Sequence, residues 1–586
     1  MRVAFTRDKT KILFQHENGN EYKFLSKYPA FLREGPYFYI AAKSQVLFNI
    51  IQRLKKSRCK LNVDQDVFDF MNQPFRLKEL PESFKFFTEP MDYQKIALRY
   101  MYTVGSGGLL LDPGMGKSKV VLDYIKLMNF NRVLVVCPKP LLFVWEDEVK
   151  VHRPDLSIYA VKTTDWESEV SGIMSTNITV MNYTKASMFK NKLKSIGFDF
   201  IHLDEFLIKD PKTSRTNDLT ELGETIPYHC GGSGTLINNS IMDVFCPVRF
   251  IEPSLVGRSF YNFQERHAVK VEVNRDGRKR NQIVAFKGQD EARSILESCC
   301  IVMTKEKWLK LPEKRFNDVY VQISPEQKEA YYGLMRNYVV ELQGTMVEVE
   351  NPLVMMSKLY QISNGFLYHT PPEEETEEIN DLLAENTKPK KKQKRTTLFF
   401  ERNPKIEALK ELLTNTLSGK RAIVWFNMEA EYQQIKAMLD AEGQTYLTIK
   451  GGESKTGEKV RQFNNDPGIS WLVCQAKSVN YGITVLGTTM EKWEDSEIEV
   501  FPNIAPEVHT QVFYSMNFSL EVYLQQQDRI HRLGQKHVCD YYRIFANTPI
   551  EKRLRMAIED KMSLRLDMLI DVMDSLLKEV LDDSVV

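Results

Sequence analysis

The segment GGLLLDPGMGKSKVVLDYI limits what this chain can fold into more than any other stretch. An apolar run, Leu109–Leu111, leads into Gly114-Met115-Gly116-Lys117-Ser118, and a helix is expected from near Lys119. Glycines let the backbone approach phosphate oxygens closely, so that N–H groups point at them, and the helix N-terminus adds a favourable dipole. Lys117 is placed to reach β- and γ-phosphates, and Ser118 to ligate Mg2+. The pattern GxxxxGK[ST] is met except at its first position, where Leu111 stands. A glycine turn that merely opens a helix is the alternative reading of this fragment.

A nucleotide site needs acidic residues as well, and FIHLDEF offers them. Asp204 and Glu205 close an apolar strand; one carboxylate can hold Mg2+ through water while its neighbour orients and deprotonates an attacking water. A DE pair at a strand end is common by chance, but a strand, phosphate loop and helix followed by strand–DE is far rarer. A third element lies downstream in QQQDRIHRLGQK. Arg529 and Arg532 stand three apart on an expected helix, hence on one face, flanked by His531 and Gln535. An ATPase needs positive charge on the departing γ-phosphate; taken alone, the same residues equally describe a solvated basic face.

Short apolar runs recur along the chain. VLVVCP (Val133–Pro138), ITVMNY (Ile178–Tyr183) and FIHLDE (Phe200–Glu205) form one set; AIVWFN (Ala422–Asn427), TYLTIKG (Thr445–Gly451), WLVCQA (Trp471–Ala476) and VFYSMN (Val512–Asn517) form another. Strands buried on both faces of a parallel sheet have this character, with function at their C-terminal ends. Two α/β sheets are therefore expected. Residues 324–366 between them read as largely helical. An acidic and then basic run follows, PPEEETEEINDLLAEN and KPKKKQKR, expected to be an exposed mobile loop. Its basic half fits a nuclear localisation signal, a solvated cluster or a phosphate-contacting loop. The first 85 residues carry no nucleotide motif and read as a small α+β module, with EGPYFYIAA strand-like and SQVLFNIIQRLKK an amphipathic helix with a basic end.

The formal net charge is +1, so any nucleic-acid surface must come from local clusters. One such cluster is VEVNRDGRKRNQIVAF, a hairpin pattern with Arg275, Arg278, Lys279 and Arg280 at its tip, which would either grip a DNA fork or lie solvated. The eight cysteines show no metal-ligand spacing, so neither zinc nor a disulfide framework is expected. No signal-peptide core and no run of about 18 apolar residues is present. The expectation is a soluble intracellular protein, in the cytoplasm of a bacterial or phage-infected cell, with the nucleus as the alternative.

Taken in order, the motifs resemble those of superfamily-two helicases, and within them the Swi/Snf-like branch, from about Phe86 to Lys561. Tyr93-Gln94 after Phe86 and Phe87 resembles the adenine-reading Q motif, with Gln94 on the base. DPGMGKS resembles motif I, CPKPLLFVWEDEV motif Ia with the Trp145 typical of the branch, and MNYTKA motif Ib. LDEFLIKDPKTSRT is similar to DEAHxIKNPxSxRT, and GGSGTLINNSIMDVF to LTGTPxQNxxxELW, giving Ser233, Gly234 and Thr235 as motif III. LPEKRFNDVYVQISPEQKEAYYGLM resembles the linker between lobes, IVWFN motif IV, YGITVL motif V with Gly482, and QQQDRIHRLGQ motif VI with Gln525, Arg529, His531, Arg532 and Gln535.

The resemblance implies two RecA-like parallel-sheet lobes with helical insertions, in addition to the N-terminal α+β module. The expected domains are 1–85 for DNA substrate recognition, 86–320 as lobe 1 with the hairpin inserted at about 268–290, 321–400 as helical insertion and charged loop, 401–561 as lobe 2, and 562–586 as a C-terminal helix. It implies ATP and Mg2+ as ligands and DNA as the partner, with the chain acting as a monomer. Catalysis would rest on Lys117, Asp204, Glu205, Arg529 and Arg532; nucleotide binding on Gln94, Gly114, Met115, Gly116, Lys117, Ser118, Gly482 and Gln525; Mg2+ on Ser118 and Asp204. Lys139, Tyr183, Thr184, Asn427 and Lys477 would hold the DNA backbone, joined by Arg278, Lys279 and Arg280 of the hairpin.

The departures from the pattern are specific. Motif II reads DEFL, so Leu207 replaces the His that usually contacts motif III; Leu236 replaces the Pro of motif III; motif V lacks the RAGG run; and an acidic stretch follows it at 487–508. The link between hydrolysis and DNA movement is therefore expected to be wired differently. The functions weighed are an ATP-dependent helicase or translocase that remodels branched DNA in replication, recombination or repair, a duplex translocase that displaces proteins such as polymerase or nucleosomes, and a non-catalytic DNA clamp with a decayed motor. Retention of Lys117, Ser118, Asp204, Glu205, Arg529 and Arg532 argues against the last.

Overall fold

The computed structural model describes residues 1–6, 11–16, 32–34, 37–41, 61–72, 76–234, 241–257, 259–275, 278–337, 339–342, 345–348, 352–369, 396–451, 456–476, 508–532 and 535–559. The chain divides into two compact units, Met1–Leu309 and Lys310–Val586.

The first unit opens with a small sheet of β1 (Arg2–Phe5), β2 (Lys11–Gln15), β3 (Leu32–Glu34), β4 (Tyr37–Ala41) and β5 (Asn62–Val63) in the order β3-β4-β2-β1-β5. All its pairings are antiparallel except β1 with β5. Val3, Ile12, Phe14 and Val67, the last on the helix Gln65–Asn72, are fully buried and supply its apolar centre. The amphipathic basic helix expected at 44–56 lies outside the described residues.

The main sheet of this unit contains β6 (Gly107–Leu111), β7 (Val133–Cys137), β8 (Ile158–Ala160), β9 (Ile178–Asn182), β10 (Phe200–Asp204) and β11 (Tyr228–Gly232). A hairpin follows, β12 (Ala268–Arg275) and β13 (Arg278–Phe286), and then β14 (Cys300–Met303), which returns to the sheet. The order is β14-β6-β11-β10-β7-β9-β8, and every pairing is parallel. Every residue of β6, β7 and β10 is buried, as strands covered on both faces must be. Because all strands run the same way, the segments leaving β6, β7, β9, β10 and β11 gather along one edge. In the hairpin, Arg275 pairs with Arg278, Asn274 with Lys279 and Val273 with Arg280, so the basic residues flank and follow the Asp276-Gly277 step.

The second unit holds β15 (Lys314–Val321), the hairpin β16 (Val339–Leu342) and β17 (Thr345–Glu348), the hairpin β18 (Phe366–His369) and β19 (Thr396–Phe399), and then β20 (Ala422–Phe426), β21 (Tyr446–Ile449), β22 (Trp471–Gln475), β23 (Thr510–Phe513) and β24 (Cys539–Ala546). Its six-stranded sheet is wholly parallel in the order β15-β24-β23-β20-β22-β21. The stretch 324–366 is not continuously helical. The helices Pro325–Asn337 and Pro352–Ser363 are separated by the β16–β17 hairpin. The β-branched residues Val339, Val340, Thr345 and Val347, with Gln343-Gly344 between the strands, explain the change from helix to hairpin. The charged loop, the 487–508 stretch and the C-terminal helix expected at 562–586 lie outside the described residues, apart from Val508.

Candidate active site

The glycine loop leaves the C-terminal end of β6, and the helix it opens starts at Lys117, two residues earlier than the sequence pattern suggests. Gly114 and Gly116 both have positive φ, 82° and 74°. At Gly116 that conformation ends the loop and begins the helix, and a Cβ there would lie 2.3 Å from Gln94 Nε2. No side chain caps this helix N-terminus, so its first N–H groups face the loop. Gln94 lies against the loop itself. Its Nε2 donates to the Met115 carbonyl (3.1 Å), its Oε1 accepts from the Met91 N–H (3.0 Å), and the Tyr93 hydroxyl donates to the same Met115 carbonyl (3.1 Å). The loop entry is fixed as well, because the Asp112 N–H donates to the Met303 carbonyl (3.2 Å) and the Asp112 carboxylate accepts from the Lys305 N–H (2.7 Å). Buried Lys117 donates to the Leu111 carbonyl (3.1 Å) and stands 3.7 Å from Glu205 Oε1. Ser118 follows it, half-buried.

Two strands away, Asp204 ends β10 and is 6% exposed. Burial pushes its carboxyl up from the usual range, against the opposing pull of the Lys117 ammonium, the Trp145 indole and the Glu205 N–H. Trp145 Nε1 donates to Asp204 Oδ2 at 3.0 Å. Glu205 sits at φ 53°, in the left-handed region, at a cost of about 1–3 kcal/mol for a non-glycine residue. Such strain gathers where function needs a side chain aimed in one direction. His202, fully buried one turn of strand earlier, is pushed down to about 3 by burial and by Lys117, so it is neutral.

Phe206 of the DEFL turn, where the family pattern has Ala, is packed into the core, and Leu236 lies outside the described residues. The Phe206 N–H donates to the Gly232 carbonyl (3.2 Å), and its ring is 1% exposed. A Cβ on Gly231 would stand 1.5 Å from Phe206 Cζ, so glycine at 231 makes the space that the ring fills. Ser233 donates its N–H to the Leu109 carbonyl (3.2 Å), and a Cβ on Gly234 would meet Pro113 Cδ at 2.5 Å. These two residues thus close on the phosphate loop; Thr235 lies outside the described residues.

Tyr183 requires a correction. Expected on the DNA backbone, it is 2% exposed and unable to reach a phosphate in this arrangement. Its hydroxyl donates to the Asp204 carbonyl (2.9 Å) and accepts from the Leu207 N–H (3.4 Å), spanning the DEFL turn. The reason is the register of its helix. Asn182 caps Tyr183–Met188 by accepting from the Lys185 N–H, which points the first helical residue into the sheet and the second, Thr184, outward. Thr184 is exposed, as is Lys139 at the end of β7. For Arg278, Lys279 and Arg280 only the strand register stated above is described.

In the second unit, Asn427 follows β20. Its Nδ2 donates to Ser515 Oγ (2.8 Å), its Oδ1 accepts from Asn517 (2.9 Å), and its N–H donates to buried Glu431 (2.7 Å). Lys477 and Gly482 lie outside the described residues. Motif VI also differs from expectation, because Arg529 and Arg532 are not on one helix face. The helix Leu520–Gln527 stops before them. Beyond it the chain runs in turns: the Arg529 N–H donates to the Gln526 carbonyl (3.1 Å) and the Arg532 N–H to the Ile530 carbonyl (3.2 Å), while Gln511 Nε2 and the Tyr541 hydroxyl add second bonds to the Gln526 (2.8 Å) and Gln527 (3.1 Å) carbonyls. Arg529 is 2% exposed and donates from Nε to the Gln525 carbonyl (2.9 Å), whereas Arg532 is half-buried. Gln525 is buried, and its side chain lies 3.4 Å from Glu521 Oε1. His531 Nε2 is 2.9 Å from the Pro312 carbonyl, and Gln535 closes the loop by donating to the Val508 and Ile530 carbonyls (both 3.2 Å).

The parallel sheet of the first unit therefore brings the glycine loop, Asp204, Glu205, Ser233, Gly234, Lys139 and Thr184 to one edge. Sequence patterning did not single out His202 or the contacts of Trp145 and Tyr183 with the DEFL turn. Only an unusual histidine inside an apolar strand hinted at them.

Residues 93–366 match the family model described as the SNF2-related domain. The chain is 25% identical over 475 residues to the TATA-binding protein-associated factor 172 of Homo sapiens, covering 74% of this chain and 24% of that protein. It is 22% identical over 473 residues to an uncharacterized ATP-dependent helicase of Mycoplasma pneumoniae, covering 78% of this chain and 40% of that one. The chain thus spans well under two thirds of these relatives. The Sulfolobus solfataricus SWI2/SNF2 ATPase core in complex with dsDNA aligns with a TM-score of 0.36 and 19% identity, over 85% of this chain and 96% of that one. Among the described residues, no helix is long and apolar enough to cross a membrane.

Proposed function

We infer that this chain, a superfamily-two ATPase of the Swi/Snf-like branch, is a DNA translocase that hydrolyses ATP to remodel branched DNA such as forks and junctions in replication, recombination or repair. The observation that carries this reading is the single sheet edge on which a glycine phosphate loop, a paired Asp204–Glu205 and two exposed backbone-binding candidates, Lys139 and Thr184, converge. ATP enters as substrate with its phosphates on the N–H groups of Gly114–Ser118, and Lys117 exchanges the Leu111 carbonyl for phosphate oxygens. Ser118 and Asp204 would hold Mg2+, which supplies charge neutralisation on the phosphates. Glu205 orients the attacking water and takes its proton, helped by a backbone that fixes its direction. Arg529 and Arg532 offer positive charge to the transition state, and Gln94 reads the base from its place beside Met115. DNA is held mainly through its phosphates, by Lys139 and Thr184 in the first unit, by Asn427 and Lys477 in the second, and by the basic hairpin.

The test is ATPase activity with fork DNA, plain duplex, single strand and RNA, with strand products scored on the same substrates. Forks are expected to stimulate most, and stimulation by RNA alone would overturn the reading. The likeness to a TATA-binding protein-associated factor favours a second reading, displacement of proteins from duplex; equal stimulation by duplex and forks, with no strand products, is its signature. Removing residues 1–85 is expected to leave ATPase activity intact and to reduce fork preference, measured as the ratio of fork-stimulated to duplex-stimulated rates.

A further inference from the structure

The side chain of Trp145 belongs to the helix Leu142–His152, which follows β7. It points into the core. It is 1% exposed, and its Nε1 donates to Asp204 Oδ2 at 3.0 Å. We propose that Trp145 is a positioning residue for the magnesium-binding carboxylate, fixing one oxygen of Asp204 so that the other is presented to the metal in a single orientation. The inference rests on the nucleotide-site reading given above and assigns a role within it.

Three features support this role. First, the indole is the one side chain that hydrogen-bonds the Asp204 carboxylate among the described residues; the adjacent Glu205 N–H also bonds it, and Lys117 acts on it by charge. Second, the indole cannot swing away. It packs at an angle of 60° on the His202 ring, with centroids 5.6 Å apart, and His202 is fully buried and neutral. His202 is itself wedged beside the Lys117 stem, since a Cβ on Gly232 would meet His202 Cε1 at 3.3 Å and Lys117 Cδ at 3.5 Å. Third, the chemistry suits the task. An indole N–H is a donor only and never charged, so it can orient a carboxylate without replacing the cation, as a lysine or arginine would. Groups that hold a metal's ligands in this way commonly govern affinity for the metal.

The experiment uses the full chain and a fluorescent ADP analogue, titrated with Mg2+. For Trp145→Phe, nucleotide affinity in EDTA is expected to stay within about twofold of wild type, while the Mg2+ concentration giving half-maximal tightening rises about tenfold. An unchanged Mg2+ midpoint would overturn the proposal. Should the phenylalanine variant fail to fold, 3-benzothienylalanine at position 145 keeps the shape of the indole, removes the N–H, and is read in the same way. Asp204→Asn is expected to lose the Mg2+ response, and adding Trp145→Phe to it should change nothing further; an additional loss in the double variant would mean that Trp145 acts elsewhere. Wild-type protein whose nucleotide binding ignores Mg2+ would overturn the nucleotide-site reading itself, and this inference with it.

Discussion

Glu205→Gln is expected to lower kcat by about a thousandfold, within the range known for removal of a general base, while the affinity for Mg2+–nucleotide changes only a few-fold. The substitution keeps size and hydrogen-bonding shape but removes the basic oxygen. It also leaves the φ of 53° in place, so the backbone aim is unchanged and the loss reports on chemistry alone. Lys117, 3.7 Å from the carboxylate, loses an ion-pair partner in the variant and is freer to meet phosphate, so binding is expected to hold or tighten slightly. Single-turnover hydrolysis and equilibrium nucleotide binding, measured together, check both halves. A variant that hydrolyses at the wild-type rate would remove Glu205 from the mechanism. Parallel losses in binding and rate would indicate collapse of the loop instead.

The second large effect concerns stability. Gly231→Val is expected to destabilise the first unit by about 3–5 kcal/mol, because the buried Phe206 ring must leave its site or the strands must part. A Cβ alone would come within 1.5 Å of Phe206 Cζ, and that ring is in the core, not at the far end of a mobile surface chain. For a unit of this size the melting temperature should fall by roughly 10 °C. Phe206→Ala alone should also destabilise, by leaving a cavity of phenyl size, again about 3–5 kcal/mol. The double variant Phe206→Ala/Gly231→Val should cost far less than the sum, since the alanine vacates the space that the valine fills. Thermal melts of the four proteins check the cycle, and additive losses would show that the two positions do not share one space.

Much of the fold could be read from the sequence, because buried parallel strands advertise themselves. VLVVC and AIVWF are apolar throughout, FIHLD and WLVCQ nearly so, and all became interior strands. The phosphate loop was equally legible, since positive φ at two positions and a helix N-terminus demand a particular spacing of glycines. What escaped was direction. Tyr183 and Thr184 are neighbours in one motif, and sequence alone assigned both to DNA; the capping of their helix by Asn182 sends one inward and one outward. The arginines of motif VI have helical spacing, but the helix ends at Gln527 and turns carry the chain past them. The first misreading turns on a local cap, the Lys185 N–H on Asn182, and the second on the residue at which a helix stops; neither is encoded in the period of the sequence. The hairpin at 339–348 was missed for a different reason. Its strands are only four residues each, too short for alternation to stand out from the flanking helices.

The Tyr183 hydroxyl bears on how DNA and hydrolysis are linked. It grips both ends of the turn that carries Glu205, and the next residue in the chain, Thr184, is open to solvent on the proposed track side. If Thr184 bears on DNA, the sensing element and the element it commands are joined by a single peptide bond. In engineering terms this is direct drive without a gear train. A pull on the DNA is delivered to the hydrolytic turn with no intermediate part in which slack can accumulate, and the histidine relay that the DEFL sequence lacks becomes unnecessary.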